Sequence, residues 1–262
     1  MEFIVDGHKV HAATGGRPFD PTKPCVIFLH GAGMDHTVWS LQSRYFAHHG
    51  RSVLAVDLPG HGRSEGEALA TIADLADWVA RLITVAGIGK ARLVGHSLGA
   101  LIALETAARY PDSVEKLALL GVAGKMPVHP DMLASALANT REVIDLMVSW
   151  AHGRTNHFGG NAMPGNWTMN ACWQLIARSQ PGVIHTDLFA CNAYKDAPVM
   201  AEKLTCPTIL ILAIEDMMTP AKAGKELGKT IKGSQIEIIG NCGHMMMNEK
   251  PDDTLDRLKS FM

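Results

Sequence analysis

The sequence predicts an α/β protein with a mostly parallel sheet, helices on both of its faces and one helical insertion. Short runs that are apolar on both faces recur along the chain, the pattern of strands buried inside a parallel sheet. Helical patterns fall between them, so strand and helix alternate as in successive βαβ units. From about 124 to 204 the alternation stops and the chain reads as helical before it resumes.

Taken in order, "EFIVDGHKVHA" is two short β-rich runs joined by Asp6-Gly7, a pair that favours a two-residue hairpin turn. The runs "CVIFLH" (25–30), "SVLAVD" (52–57), "ARLVGH" (91–96), "KLALLGV" (116–122), "TILILAI" (208–214) and "QIEIIG" (235–240) follow. Helical patterns cover about 37–49, 71–87, 98–109, 219–230 and 251–261. Within the insertion, Asp131 is placed to cap "MLASALANTREVIDLMVSWAH", and two further helices are expected near 167–179 and 181–194. Gly and Asn crowd "GRTNHFGGNAMPGN", which marks a loop. No internal repeat or charge block suggests an independent second domain. The chain therefore divides into a core (1–123), a helical cap (124–204) and the rest of the core (205–262).

At 262 residues the chain is long enough for one sizeable core without covalent staples. A formal charge of −2 leaves no basic excess for nucleic acid or an anionic membrane surface, which points to a small-molecule substrate. "MEFIVDGHKV" has an early acid and no long apolar core, so it resembles neither a signal nor a transit peptide, and apolar runs elsewhere are too short to span a membrane. Cys25, Cys172, Cys191, Cys206 and Cys242 are scattered without C-x-x-C spacing, as in a reduced, cytoplasmic protein. Cys242 stands two residues before His244, but no companion pair is spaced to complete a metal site.

The chemistry concentrates at "LVGHSLGALIALE", where Gly95-His96-Ser97-Leu98-Gly99 fits G-x-S-x-G between a strand and a helix. Alone, the pattern also suits a helix N-cap serine beside packing glycines. As a nucleophile elbow, a sharp turn exposes the Ser97 hydroxyl at a helix N-terminus, where unpaired N–H groups favour negative charge and Leu98 N–H becomes an oxyanion donor. A serine hydroxyl needs a base, and the base needs a partner that sets its tautomer. Of thirteen histidines, only His244 follows the last two apolar strands. His96, beside Ser97, should point away from it. "TILILAIEDMMTP" supplies Asp216 as the acid, with Glu215 as the alternative. "FLHGAGMDHTVW" supplies a small-residue loop after the first long strand, with Ala32 N–H as the second oxyanion donor.

These segments resemble the α/β-hydrolase superfamily: "HGAG", "DLPGHGRS", "GHSLG", "EDMMTP" and "GHMMM" match along nearly the whole chain. The resemblance implies the α/β-hydrolase fold, an eight-stranded sheet with a helical cap, a Ser97–Asp216–His244 triad, and Ala32 and Leu98 as oxyanion amides. It also makes Asp57, His61 and Arg63 structural. Serine at the elbow argues against relatives that attack through a carboxylate. His96 and "GAGM" weaken the likeness to carbon–carbon bond hydrolases of ring-cleavage products.

Methionines and tryptophans recur through the insertion and near the triad, suggesting an adaptable apolar pocket that includes Met217, Met245, Trp150, Met163 and Trp167. His152, Arg154 and His157 could meet a substrate carboxylate, or be loop residues. The expected reaction is two-step acyl transfer from a small apolar ester, lactone or thioester, without metal or organic cofactor, rising with pH as His244 becomes neutral. A small-molecule receptor of the same fold is the alternative from a different class. Oligomeric state is not legible in the sequence.

Overall fold

The computed structural model describes residues 1–160 and 165–262. Strands β1 (Glu2–Val5) and β2 (His8–Ala13) form the hairpin, with Asp6 and Gly7 at φ 52° and 82°, the two left-handed residues of a tight turn. The remaining strands are β3 (Cys25–Leu29), β4 (Ser52–Val56), β5 (Ala91–His96), β6 (Val114–Leu120), β7 (Thr208–Ala213) and β8 (Gln235–Ile239). The sheet has eight strands in the order β1-β2-β4-β3-β5-β6-β7-β8; β2 pairs antiparallel with β1 and β4, and every other neighbour is parallel.

The helices are α1 (Ser40–His48), α2 (Ile72–Val85), α3 (Leu98–Arg109), α4 (Pro130–Leu137), α5 (Glu142–Ala151), α6 (Arg154–His157), α7 (Thr168–Ile176), α8 (Val183–Ala193), α9 (Ala197–Glu202), α10 (Ala221–Thr230), α11 (Met246–Glu249) and α12 (Pro251–Phe261). Helix α1 packs with α12 on one face of the sheet, and α2 packs with α3 on the other, where α3 also meets α9 and α9 meets α10. Helix α3 is buried on all sides from Leu98 to Ala107, which its small and aliphatic residues permit. Strands β3, β4 and β7 are buried along their whole length, each large aliphatic side chain contributing roughly 1.5–3 kcal/mol. Among the described residues no helix is long and apolar enough to cross a membrane.

Between β6 and β7 run the helices α4 to α9. The helix that "MLASALANTREVIDLMVSWAH" suggests is in fact two, α4 and α5, separated at Asn139, which sits at φ 52°. Asp131 does not cap it. His129 occupies the N-cap, its Nδ1 accepting from Asp131 N–H, and Pro130 takes the first helical position, where its missing N–H costs nothing.

The chain changes direction beside β3: β4 lies on one side of it and β5 on the other, so a crevice opens at the carboxyl ends of β3 and β5. The turn after β4 is organised by Asp57, which is fully buried. Its Oδ1 accepts the backbone N–H and Nδ1–H of His36, at 2.7 and 2.8 Å, and its Oδ2 accepts Arg63 N–H at 2.9 Å. Burial pushes this carboxyl up, but the His36 and Arg63 bonds outweigh it and hold it below its usual range. The depressed value means that the stabilisation is complete above the unfolded carboxylate pKa of about 3.9 and is lost as pH falls through the folded value. Asp57→Ala is expected to cost about 2–4 kcal/mol at neutral pH in urea unfolding, with the gap from wild type closing as the pH is lowered through that window.

Candidate active site

The carboxyl ends of β3, β5, β7 and β8 deliver four chain segments to one place. After β5, Ser97 adopts φ 55° and ψ −117°, a conformation that costs a non-glycine residue of order 1–3 kcal/mol. The flanking glycines make it possible: a Cβ on Gly95 would overlap the carbonyl of Gly99, and a Cβ on Gly99 would overlap that of Leu29. Ser97 opens α3 without a side-chain cap bond, so its hydroxyl is not used as an N-cap.

After β7 and β8, Asp216 and His244 meet. His244 Nδ1–H donates to Asp216 Oδ2 at 2.8 Å, which leaves Nε2 as the unprotonated nitrogen of the neutral ring. Asp216 also accepts Thr219 N–H, Thr219 Oγ1–H and Met218 N–H, at 2.7, 2.7 and 2.9 Å. Burial acts to raise this carboxyl, but the charge and hydrogen bond of His244, with the Thr219 donors, prevail and keep it ionised below its ordinary range. Glu215 turns elsewhere; its Oε2 accepts Arg154 N–H at 2.7 Å.

Ser97, His244 and Ala32 line a single cavity between the sheet edge and the insertion, enclosing about 710 Å³ with its mouth included. No hydrogen bond joins Ser97 to His244 among the described residues; the two side chains share the cavity wall. Leu98 N–H lies at the first helical position, and neither it nor Ala32 N–H has a protein acceptor among the described residues. The walls are apolar, with Met34, Met126, Met132, Met147, Ile176 and Leu188. Neither Lys nor Arg lines the cavity among the described residues.

Residues 26–257 match the alpha/beta hydrolase family. The chain is 36% identical to an (E)-2-((N-methylformamido)methylene)succinate hydrolase of Acinetobacter baylyi, across 90% of this chain and 89% of that one. The chain belongs to the alpha/beta hydrolase family. Its fold matches an enol-lactonase of Burkholderia xenovorans at TM-score 0.88 and 20% identity, covering 100% of this chain and 99% of that one. An esterase of Thermogutta terrifontis matches at TM-score 0.85 and 20% identity, over 99% and 96% of the two chains.

In this hydrolase, Met217 and Trp150 line the cavity, as the sequence suggests. Trp167 does not: it is 61% exposed and lines a separate surface groove with Arg141 and Trp173, because it precedes α7 on the outer side. Met245 is fully buried and absent from the lining, since it enters the core just before α11. Met163 lies outside the described residues. His152, Arg154 and His157 border a different depression on the other side of Trp150. Sequence reasoning passed over Thr219, which shares Asp216 with His244, although a hydroxyl three residues after an acid is a recognisable turn signal. It also passed over Cys191, a cavity-wall thiol whose pKa burial raises far above its usual value, leaving it inert.

Cys242 is buried and joins no group of metal-type ligands among the described residues. The group that does gather, His11, His36 and Asp57, has both Asp57 oxygens occupied by N–H donors. Because the overlaps at the elbow are with backbone, Gly95→Ala or Gly99→Ala is expected to destabilise the fold by about 3 kcal/mol or more, read as a lowered denaturant midpoint.

Proposed function

We propose that the protein is a serine hydrolase that cleaves small, uncharged carboxylic esters, and related lactones or thioesters, through an acyl-enzyme. The observation that carries this reading is an uncapped, strained serine at a helix N-terminus sharing an apolar cavity with a histidine whose Nδ1–H is held by a buried aspartate. In this mechanism His244 Nε2 takes the Ser97 proton as Oγ attacks the carbonyl carbon. The oxyanion is met by Leu98 and Ala32 N–H, each such donor contributing on the order of 3 kcal/mol in the transition state. Asp216 keeps the tautomer and stabilises the imidazolium. His244 then protonates the leaving alcohol, and water repeats the sequence to release the acid. The insertion acts as a lid that supplies most of the acyl pocket.

The succinate-derived substrate named for the Acinetobacter baylyi relative carries carboxylates, which suggests a second reading. The lining argues for uncharged substrates here: a carboxylate sealed against methionines without a cation loses several kcal/mol of solvation. Among the described residues, His129, at the mouth and edge-on to Trp150 at 5.8 Å between ring centroids, is the one basic side chain besides His244 on that wall.

The test is hydrolysis of p-nitrophenyl esters from acetate to decanoate, with p-nitrophenyl hemisuccinate beside the butyrate. Steady turnover that falls by about 10³-fold or more in Ser97→Ala is expected. The uncharged ester is expected to exceed the hemisuccinate at least about 10-fold in kcat/KM. A single burst without turnover would favour a receptor, and preference for the hemisuccinate would favour the second reading.

A further inference from the structure

The turn that carries Ala32 is held from the insertion as well as locally. Its local bonds both end on Gly31 O, from Met34 N–H at 3.2 Å and His30 Nδ1–H at 2.9 Å. Both polar groups of Gly33 reach across to the insertion instead: its N–H donates to Asp187 Oδ2 at 2.8 Å, and its carbonyl accepts Ser179 Oγ–H at 2.8 Å. Gly33 adopts φ +65°, and a Cβ there would press on Ile184 at 3.1 Å and Ile176 at 3.4 Å. The Gly33 N–H belongs to the peptide plane of the Ala32 carbonyl, so fixing it limits rotation about Ala32 and aims the Ala32 N–H.

Asp187, in α8, is 1% exposed and has a second partner. Its Oδ2 also accepts His61 Nε2–H at 2.8 Å, while His61 Nδ1 faces the Pro59 carbonyl at 2.9 Å. Carboxylate and carbonyl only accept, so both His61 nitrogens carry hydrogen and the ring is a cation. His30, whose ring centroid lies 4.9 Å from that of His61, donates from Nδ1 to Gly31 O and accepts Leu58 N–H at Nε2, which fixes it as neutral. Asp57 is a further charged group that acts on His61. Burial works against the His61 charge, but the charge of Asp187 and the bonds to Asp187 and Pro59 overcome it, so His61 keeps its proton above the ordinary histidine range.

We propose that Asp187 is a positioning residue for the oxyanion site: with His61 as its buried counter-ion, it clamps Gly33 and so couples seating of the insertion to the aim of Ala32 N–H. The proposal rests on the serine-hydrolase reading above, and it predicts a second titration in that activity. Below the raised pKa of His61 the ion pair is intact; above it, His61 loses one of its two hydrogen bonds and Asp187 loses its counter-ion.

The test compares wild type, Asp187→Asn, His61→Asn and Ser179→Ala on p-nitrophenyl butyrate from pH 6 to 10. Asp187→Asn is expected to lower kcat about 10- to 100-fold with KM changed less than about threefold. The fall in wild-type kcat at alkaline pH is expected to disappear in Asp187→Asn and His61→Asn. Ser179→Ala, which removes the other clamp, is expected to lower kcat by a few-fold with the alkaline fall retained. An Asp187→Asn enzyme with wild-type kcat and pH profile would overturn the proposal and leave the hydrolase reading standing.

A second readout does not use turnover: ¹⁵N NMR of His61 and hydrogen exchange at the Ala32 amide. At neutral pH, both His61 ring nitrogens are expected to be protonated in wild type, and Ala32 exchange is expected to quicken in Asp187→Asn or, should that variant not fold, in Ser179→Ala. A neutral His61 with Ala32 exchange unchanged would overturn the proposal even if wild type cleaves no ester, an outcome that by itself would count only against the hydrolase reading.

Discussion

The arrangement depends on one close approach of backbone to backbone. Gly99, in the first turn of α3, lies against the end of β3, and Gly95, the penultimate residue of β5, lies against Gly99. Together they let the chain reverse at Ser97 with a left-handed φ and enter α3 at once. The strain is local and small, of order 1–3 kcal/mol, and burial of α3 from Leu98 to Ala107 offsets it several times over. That surplus is why a helix buried on all sides can carry a strained residue at its first turn. The same approach sets the Gly31–Gly33 loop, the proposed oxyanion loop, beside the elbow, since both leave neighbouring strands of one sheet.

A second constraint acts at the seam between the sheet core and the insertion, where carboxylates are satisfied largely by backbone amides. Glu249, 1% exposed, accepts Gly153 N–H and Asn156 Nδ2–H on Oε2 and Gly243 N–H on Oε1. Burial raises its pKa, and the N–H donors only partly counter this. Gly243 adjoins His244, so Glu249 ties the histidine loop to the insertion as Asp187 ties the loop of Gly33. Glu215 adds a third bond to that side through Arg154 N–H. Buried anions of this kind need donors whose positions do not drift, and backbone amides in closed turns provide them.

The sheet was legible because a strand covered on both faces must be apolar at every position, and few other elements read that way over five or six residues. The Asp6-Gly7 turn was legible because it requires two left-handed residues. The order serine, acid, histidine nominated Ser97, Asp216 and His244, and the structure brings the latter two into contact and all near one cavity. The insertion was less legible. Periodicity shows that a helix face is apolar, but not whether that face meets the cavity, the core or an outer groove, and so Met245 and Trp167 were assigned to the wrong surface. The N-cap at His129 and the left-handed break at Asn139 involve residues whose usual roles are weaker signals than that of Asp131. Asp187 and Glu249 gave no signal, because their partners are amides remote in sequence, Gly33 and Gly153.

His96 shows how these constraints converge on the proposed base. Its ring lies 4.5 Å from that of His244, and its Nε2–H donates to the His244 carbonyl at 3.0 Å. Nδ1 therefore carries no hydrogen, and it has no hydrogen-bond partner among the described residues. It faces Gly31, where a Cβ would come within 2.9 Å, so a glycine at this position admits the ring. Gly121, at φ +56°, clears the other side, since a Cβ there would stand 2.9 Å from the His244 ring. Burial, and then the nearby His244 charge, drive the His96 pKa far down, so it stays neutral. In the acyl transfer proposed above, a second cation at this distance would oppose an imidazolium on His244. A neutral imidazole in the same space supports the ring and its loop without that repulsion, leaving Asp216 to face the charge.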